Sequence, residues 1–252
     1  MKIAIIGYGK MGKIIERIAR ERGHDIVSII DVDNHAEMDS DSFRSAQVAI
    51  EFTTPATAAA NCSEAIRQGV KVVSGTTGWA SQMSGLKSLC EEGNGTLFWS
   101  SNFSLGVNLF FAINRYVTAL MSKFSQYAPS MEEIHHIHKL DHPSGTAITL
   151  AEQIIALDPA VTGWTESAGA PANQLLIDHK REGEVPGTHV IRWDSPVDTI
   201  TIEHRAKSRE GFALGAVMAA EWLENHSGFC TMDQMMRSII PTNLLDITTT
   251  QQ

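Results

Sequence analysis

The first hundred residues alternate short apolar runs with segments of helical spacing. KIAII, HDIVSIID, QVAIEF, VKVVSG and GTLFWSSN read as five strands. Between them, KMGKIIERIARERG, PATAAANCSEAIRQG and ASQMSGLKSLCEEG repeat apolar residues every three or four positions, the period of a helix face. The second helix has a proline in its first turn and a glycine at its stop. Such alternation predicts a parallel sheet covered on both faces by helices. The link from Asp33 to Gln47 is polar and short, so one crossover is expected to lack a full helix.

Beyond residue 104 the pattern changes. LGVNLFFAINRYVTALMSKF predicts a long helix of mixed polarity and TAITLAEQIIALDP another. QLLIDHKREG, GTHVIRWD and DTITIEHRA then alternate with period two, which favours antiparallel strands with one buried face. GFALGAVMAAEWLEN resumes helical spacing. The expected architecture is an α/β domain over 1–104, completed by 213–252 and interrupted by an α+β domain over 105–212 with a mainly antiparallel sheet.

GYGKMG, Gly7 to Gly12, fits G-x-G-x-x-G between a predicted strand and a predicted helix, the setting that a dinucleotide-binding loop requires. Gly7 permits the tight turn, Gly9 lets a pyrophosphate approach the backbone, and Gly12 lets helix and strand pack closely. Tyr8, Lys10 and Met11 complete the loop, and the helix start adds oriented N–H groups. Asp31 ends the second strand about 20 residues on, where an acid hydrogen-bonds ribose hydroxyls and repels a 2′-phosphate. Val32 follows it, so no arginine meets a phosphate there. NADH is therefore expected to be preferred, with NADPH tolerated through Lys10. Gly75-Thr76-Thr77 and Ser100-Ser101-Asn102-Phe103 follow the fourth and fifth strands, at the carboxyl ends where open parallel sheets bind ligands. The first domain is thus expected to be a Rossmann-type dinucleotide-binding domain.

Composition narrows the partners. A net charge of -9 argues against a nucleic-acid partner, whose phosphates demand a basic face. No apolar run approaches the ~20 residues of a membrane span. Cys62, Cys90 and Cys230 are odd in number and widely spaced, which suits a reducing cytoplasm rather than a disulfide framework. In an acidic chain, an anionic substrate needs a local cluster of positive groups.

EIHHIHKLDHPSGTA, Glu133 to Ala147, is such a cluster, with four of the ten histidines inside eight residues. Three readings compete: a metal site using His135, His138 and His142 with Asp141, a solvated strand, or an acid–base site for an anion. Lys139 would set a positive charge among metal ligands, and no HExxH-like spacing is present. A solvated strand leaves the lysine and the Ser-Gly-Thr turn unexplained. The acid–base reading accounts for both: imidazole exchanges protons near neutral pH, and Ser144, Gly145 and Thr146 offer N–H groups at a helix start.

HHIHKLDHPSGTA resembles the signature of the dihydrodipicolinate reductase family, roughly H-H-x-x-K-x-D-x-P-S-G-T-A. GYGKMG, EFTTP, GTTGW, SSNFSLGVN, VPGTHVIRW and HRAKSREGFALGA resemble further family segments in the same order, so the resemblance spans nearly the whole chain. It implies reduction of a cyclic imine-type dicarboxylate by NADH or NADPH, with loss of water, in lysine and diaminopimelate synthesis. His135 then matches the general acid, Lys139 a second proton donor, and His136 a substrate-contacting histidine. Gly145 and Thr146, beside Ser144, match the loop that holds a substrate carboxylate. The cofactor positions match Gly7 to Gly12, Asp31, Gly75 to Thr77 and Ser100 to Phe103, and no metal is implied. A homotetramer joined through the second domain, and a cytoplasmic location, are also implied.

Three departures stand out. The glycine loop is one residue shorter than the common form, with Lys10 where arginine is usual; Asp31 lacks a following arginine; and His142 stands where alanine is typical. The first two weigh against NADPH. The rivals are another dehydrogenase on the same cofactor domain and a non-catalytic NAD(H) sensor.

Overall fold

The computed structural model describes residues 1–169 and 171–240. Residues 241–252 of the expected 213–252 completion lie outside the described residues. Two compact units emerge: Met1–Leu105 with Glu210–Ile239, and Gly106–Arg209.

In the first unit the chain runs β1 (Lys2–Ile6), α1 (Lys10–Glu21), β2 (Asp25–Ile30), α2 (Asp41–Arg44), β3 (Val48–Glu51), α3 (Ala58–Arg67), β4 (Lys71–Ser74), α4 (Ser84–Glu91) and β5 (Thr96–Trp99). The link before β3 holds only a 3-10 turn, His35–Asp39, and the four-residue α2, as its polarity predicts. The strands form one parallel sheet in the order β11-β5-β4-β3-β1-β2, where β11 is Gly228–Thr231 near the chain's end. The direction of winding reverses between β1 and β3, so the crevice at their carboxyl ends is the ligand position of the sheet. On one face Ala4, Ile6, Ala49, Val72 and Leu97 pack against Phe43, Cys62, Ile66 and Leu86. Each such large apolar side chain stabilises the fold by about 1.5–3 kcal/mol on full burial. The returning helix α7 (Glu210–Trp222) packs on α1, β3 and β4, and α8 (Met232–Ile239) follows β11.

The second unit contains α5 (Leu105–Met121), which begins at the unit boundary, then β6 (Ala128–His135), α6 (Gly145–Leu157), β7 (Gly163–Thr165), β8 (Gln174–Arg181), β9 (Thr188–Asp194) and β10 (Thr199–Arg205). Its five strands lie in the order β10-β9-β6-β8-β7. The antiparallel expectation holds for β9 and β10, whereas β8 runs parallel to β6 and β7 parallel to β8. The sheet is therefore mixed. Alternation marks a buried face but carries no information on strand direction, which α6 sets by crossing over between β6 and β7.

Met131, Leu175, Ile177, Ile191 and Trp193 face α5 and α6, meeting Phe110, Met121, Leu150 and Ile154. The same row of side chains continues past Met131 with Glu133 and His135, so the sheet's inner face turns from apolar to ionisable toward the end of β6. The other side of α5 leaves Leu109, Ile113, Tyr116 and Leu120 exposed at helical spacing.

Candidate active site

Of the residues expected to bind the cofactor, Gly7, Gly9 and Asp31 line the cleft at the switch point of the first unit and Gly75 to Thr77 lie beside it, whereas Ser100 to Phe103 follow β5, two strands away from β3. Gly7 takes a φ of 91°, and a Cβ there would meet the Phe52 carbonyl oxygen at 2.2 Å. A Cβ on Gly12 would meet the Gly7 carbonyl oxygen at 2.2 Å. Gly9 differs: nothing lies within 4 Å of its would-be Cβ, so its backbone faces open space in front of α1. Two cavities flank it, one of about 300 Å³ reaching Asp31 and His35 and one of about 360 Å³ reaching Gly75, Thr76 and Thr77. Both also touch Phe52 and Thr53. Open backbone at a helix start between two hollows is the arrangement that an elongated, phosphate-bearing ligand requires.

The side chains around the crevice are held in place. The Asp31 N–H donates to Asn34 Oδ1 at 2.7 Å, and Asp31 Oδ1 accepts from the Val32 N–H at 3.0 Å. Val32 itself is exposed. Lys10 is exposed and Met11 half-buried, while the Tyr8 hydroxyl donates to Glu16, which pushes the phenol's pKa up. The buried Glu51 accepts from Ser74 Oγ at 2.6 Å, Thr76 Oγ1 at 2.8 Å and the Thr53 N–H at 3.0 Å, tying the ends of β3 and β4 together. The Thr76 carbonyl accepts from the indoles of Trp79 at 2.8 Å and Trp99 at 3.2 Å. Ser100 Oγ both donates to the Asn102 carbonyl and accepts from its N–H, Ser101 is exposed, and Phe103 packs against Phe52 and Phe98.

In the second unit the histidine cluster splits. His135, the last residue of β6, is buried, while His136 is half-buried in the turn that follows. His138 faces Glu184, and His142 faces Glu166. The metal set His135, His138 and His142 is thus not assembled. Instead His135 meets two groups that the cluster alone did not reveal, Glu133 and His189. Glu133 Oε2 lies 3.6 Å from His135 Nδ1 and 3.7 Å from His189 Nε2, and the two imidazoles meet edge to face at 5.2 Å. Both Glu133 oxygens accept from the Ser144 N–H at 3.1 Å.

These contacts set the protonation states. Burial opposes ionisation of Glu133, but bonding to His189 and Ser144, with the nearby His135, outweighs it and holds the carboxyl down to about 2. For His135 burial wins: its pKa falls to about 4, with Glu133 opposing the shift and His189, Lys139 and Arg181 adding to it. At neutral pH a carboxylate therefore stands beside a neutral imidazole here.

Lys139 Nζ donates to both oxygens of Asp141, at 2.7 and 2.8 Å. Arg181 braces this turn from β8, its Nε donating to the Lys139 carbonyl at 3.1 Å and its Nη2 to the Asp141 carbonyl at 2.8 Å. Ser144 caps α6, its Oγ accepting from the Ala147 N–H at 3.2 Å and lying 3.2 Å from His189 Nε2. The Ser144 N–H and hydroxyl thus both serve the protein itself. A Cβ added to Gly145 would meet nothing within 4 Å. Lys139, Arg181 and the positive end of α6 together suit a carboxylate-bearing substrate.

Glu133, Arg181 and His189 were missed because each sits on a different strand. The parity of β6 held the one usable signal, since Glu133 is two residues before His135 and must share its face.

Comparison with known proteins identifies the family. The family described as dihydrodipicolinate reductase, N-terminus, matches residues 1–103, and its C-terminus counterpart matches residues 106–236. A 4-hydroxy-tetrahydrodipicolinate reductase of Christiangramia forsetii is 43% identical, over 95% of this chain and 99% of that protein. One of Archaeoglobus fulgidus is 32% identical, over 94% and 100% respectively. Among solved structures, a dipicolinate-bound dihydrodipicolinate reductase from Paenisporosarcina sp. TG-14 superposes with a TM-score of 0.71 at 20% identity, over 92% of this chain and 97% of that one.

Proposed function

The chain belongs to the dihydrodipicolinate reductase family, and from that premise we infer how its residues divide the work. It is an oxidoreductase that reduces 4-hydroxy-tetrahydrodipicolinate in lysine and diaminopimelate biosynthesis. The first unit serves as the dinucleotide-binding domain, and the second as the substrate and oligomerisation domain. A bound reduced nicotinamide supplies the hydride. Gly7 to Gly12 hold the pyrophosphate, Asp31 the adenine-side ribose, and Gly75–Thr77 with Ser100–Phe103 the nicotinamide end. The carboxylate at Asp31, unaccompanied by an arginine, favours NADH and tolerates NADPH.

The ring first loses its hydroxyl with a neighbouring proton as water; hydride addition to the electron-poor ring carbon then leaves an enamine-type anion that must take up one proton. The observation that carries our assignment is the meeting of His135, Lys139, Arg181 and the start of α6 around one end of β6. Lys139 supplies an ammonium donor. His135, a neutral imidazole at neutral pH, gains affinity for a proton when two substrate carboxylates bring negative charge beside it. Gly145 and Thr146 receive one carboxylate, and His136 contacts the substrate from the turn. Lys139 must exchange Asp141 for the substrate, which keeps the ammonium engaged until the dianion arrives.

Among the described residues no helix is long and apolar enough to cross a membrane. A cytoplasmic homotetramer is the state we propose, and the exposed stripe on α5 supports burial of that helix against another copy.

The test is oxidation of NADH by the purified protein, with substrate generated in place from pyruvate and aspartate semialdehyde by the preceding enzyme of the pathway. Oxidation that needs every component, faster with NADH than with NADPH, is expected. Tight NADH binding without turnover would overturn the reading in favour of a sensor.

A further inference from the structure

His142, the residue without a role in the proposed reaction, belongs to a second cluster. It precedes the Pro143-Ser144 turn; Glu166 follows β7 directly; His179 stands on β8. His142 Nδ1 lies 2.8 Å from Glu166 Oε1, and His179 Nδ1 lies 3.1 Å from the same oxygen. All three donor atoms fall within 4.8 Å of one another. His179 Nδ1 is closed to water, and its approach to the carboxylate lacks the alignment of a hydrogen bond. It is a buried nitrogen aimed at a shared oxygen with no proton-mediated contact of its own.

We propose that His142, Glu166 and His179 form a binding site for a divalent transition-metal cation of the zinc class. Two imidazole nitrogens and one carboxylate oxygen are a donor set that suits zinc, with a fourth position left for water. Bonds of about 2.0–2.1 Å to a tetrahedral ion place neighbouring donors about 3.3 Å apart, so the two nitrogen–oxygen separations need to open by only a few tenths of an ångström. The imidazoles are stacked at 4.2 Å and 12°, and one ion cannot lie in both ring planes as they stand. The His142 ring, half-exposed at 49%, turns to bring its Nδ1 lone pair to the ion. His179 stands on β8 and Glu166 directly follows β7, the strand paired with β8, so the sheet positions the other two donors.

The consequence reaches the substrate turn. His142 is two residues before Ser144, whose N–H bonds Glu133 and whose hydroxyl caps α6. An ion shared by this segment and β8 would tie the turn to the sheet at a second point, beside the brace from Arg181.

A second set of donors, Glu133, His135 and His189, lies within the same 4.8 Å limit, so the test must separate the two. The three cysteines are buried, and burial pushes their thiols up, which leaves them poor competitors. Untagged full-length protein, stripped with chelator, is titrated with zinc chloride in a calorimeter. The expectation is one ion per chain, with affinity at least about tenfold weaker in His142→Ala and Glu166→Gln and within about twofold of wild type in His189→Gln. Absence of binding, equal binding by all variants, or a loss that follows His189→Gln instead would overturn the site. Should a variant fail to fold, cobalt(II) loaded into His189→Gln, which lacks the second donor set, gives an independent reading. Intense visible bands of four-coordinate cobalt support the site; the pale spectrum of the hydrated ion refutes it.

Discussion

Glu133 and His135 stand two residues apart on β6 and point to the same face, where an oxygen of the fully buried Glu133 carboxylate lies 3.6 Å from His135 Nδ1. The carboxylate also accepts from the N–H of Ser144, at the cap of α6. One side chain thus positions both the proposed acid and the proposed anion loop.

Glu133→Gln keeps the shape and removes the charge. The expected result is a loss of kcat on the order of a hundredfold, as for a small misplacement of reacting groups, with NADH affinity unchanged. Because the carboxylate favours protonated His135, its removal should also move the alkaline limb of the kcat profile, where the acid loses its proton, to lower pH. An unchanged alkaline limb would show that Glu133 only supports the fold. Steady-state kinetics from pH 5 to 9 reads both effects.

His135→Gln and Lys139→Gln should each lower kcat by roughly 10²–10⁴-fold, the usual worth of a positioned proton donor. KM for the dicarboxylate should rise in the lysine variant, which also loses positive charge, and stay nearly constant in the histidine variant. A histidine variant with full turnover would remove His135 from the reaction.

His135 also couples stability to pH. Its folded-state pKa of about 4 lies below the 6.5 of an ordinary histidine, so the unfolded chain binds the proton first. The free protein should therefore lose stability as pH falls from 6.5 to 4, by at most roughly 3 kcal/mol from this group. Glu133, held down to about 2 against an ordinary 4.5, adds a further loss only as pH falls below 4.5. Urea melts at pH 7, 5.5 and 4.5 should show the first loss, and His135→Gln should flatten it.

Asp31→Ser should narrow the preference for NADH, mainly by weakening NADH binding, because the lost carboxylate serves the ribose hydroxyls and repels a 2′-phosphate. Fluorescence titration with both cofactors measures this. Tighter binding of NADPH than NADH by the unmutated chain would contradict the role given to Asp31.

How far the sequence carried depended on whether a signal was local. The glycine loop, Asp31 and the His-His-x-x-Lys with its Pro-Ser-Gly-Thr turn are contiguous or lie at expected spacings, and each was legible. Glu51, Glu133, Arg181 and His189 act through strand register, which no single segment displays. β6 escaped as a strand for a related reason: inward positions 133 and 135 carry Glu and His, so hydrophobic alternation breaks where the chemistry begins. β7 has three residues, too few to show a period, and β11 joins the sheet beside β5, a pairing that its own residues do not display. The parallel course of β8 follows from the crossover through α6, not from its own residues.

The paired indoles at Thr76 have a practical use. Trp79 and Trp99 both donate to the one carbonyl of a turn that lines the cleft beside Gly9. Reduced nicotinamide absorbs where tryptophan emits, so the protein carries its own optical gauge. Excitation of the indoles should give quenched emission and sensitised cofactor fluorescence as NADH binds, a readout of occupancy that needs neither label nor turnover.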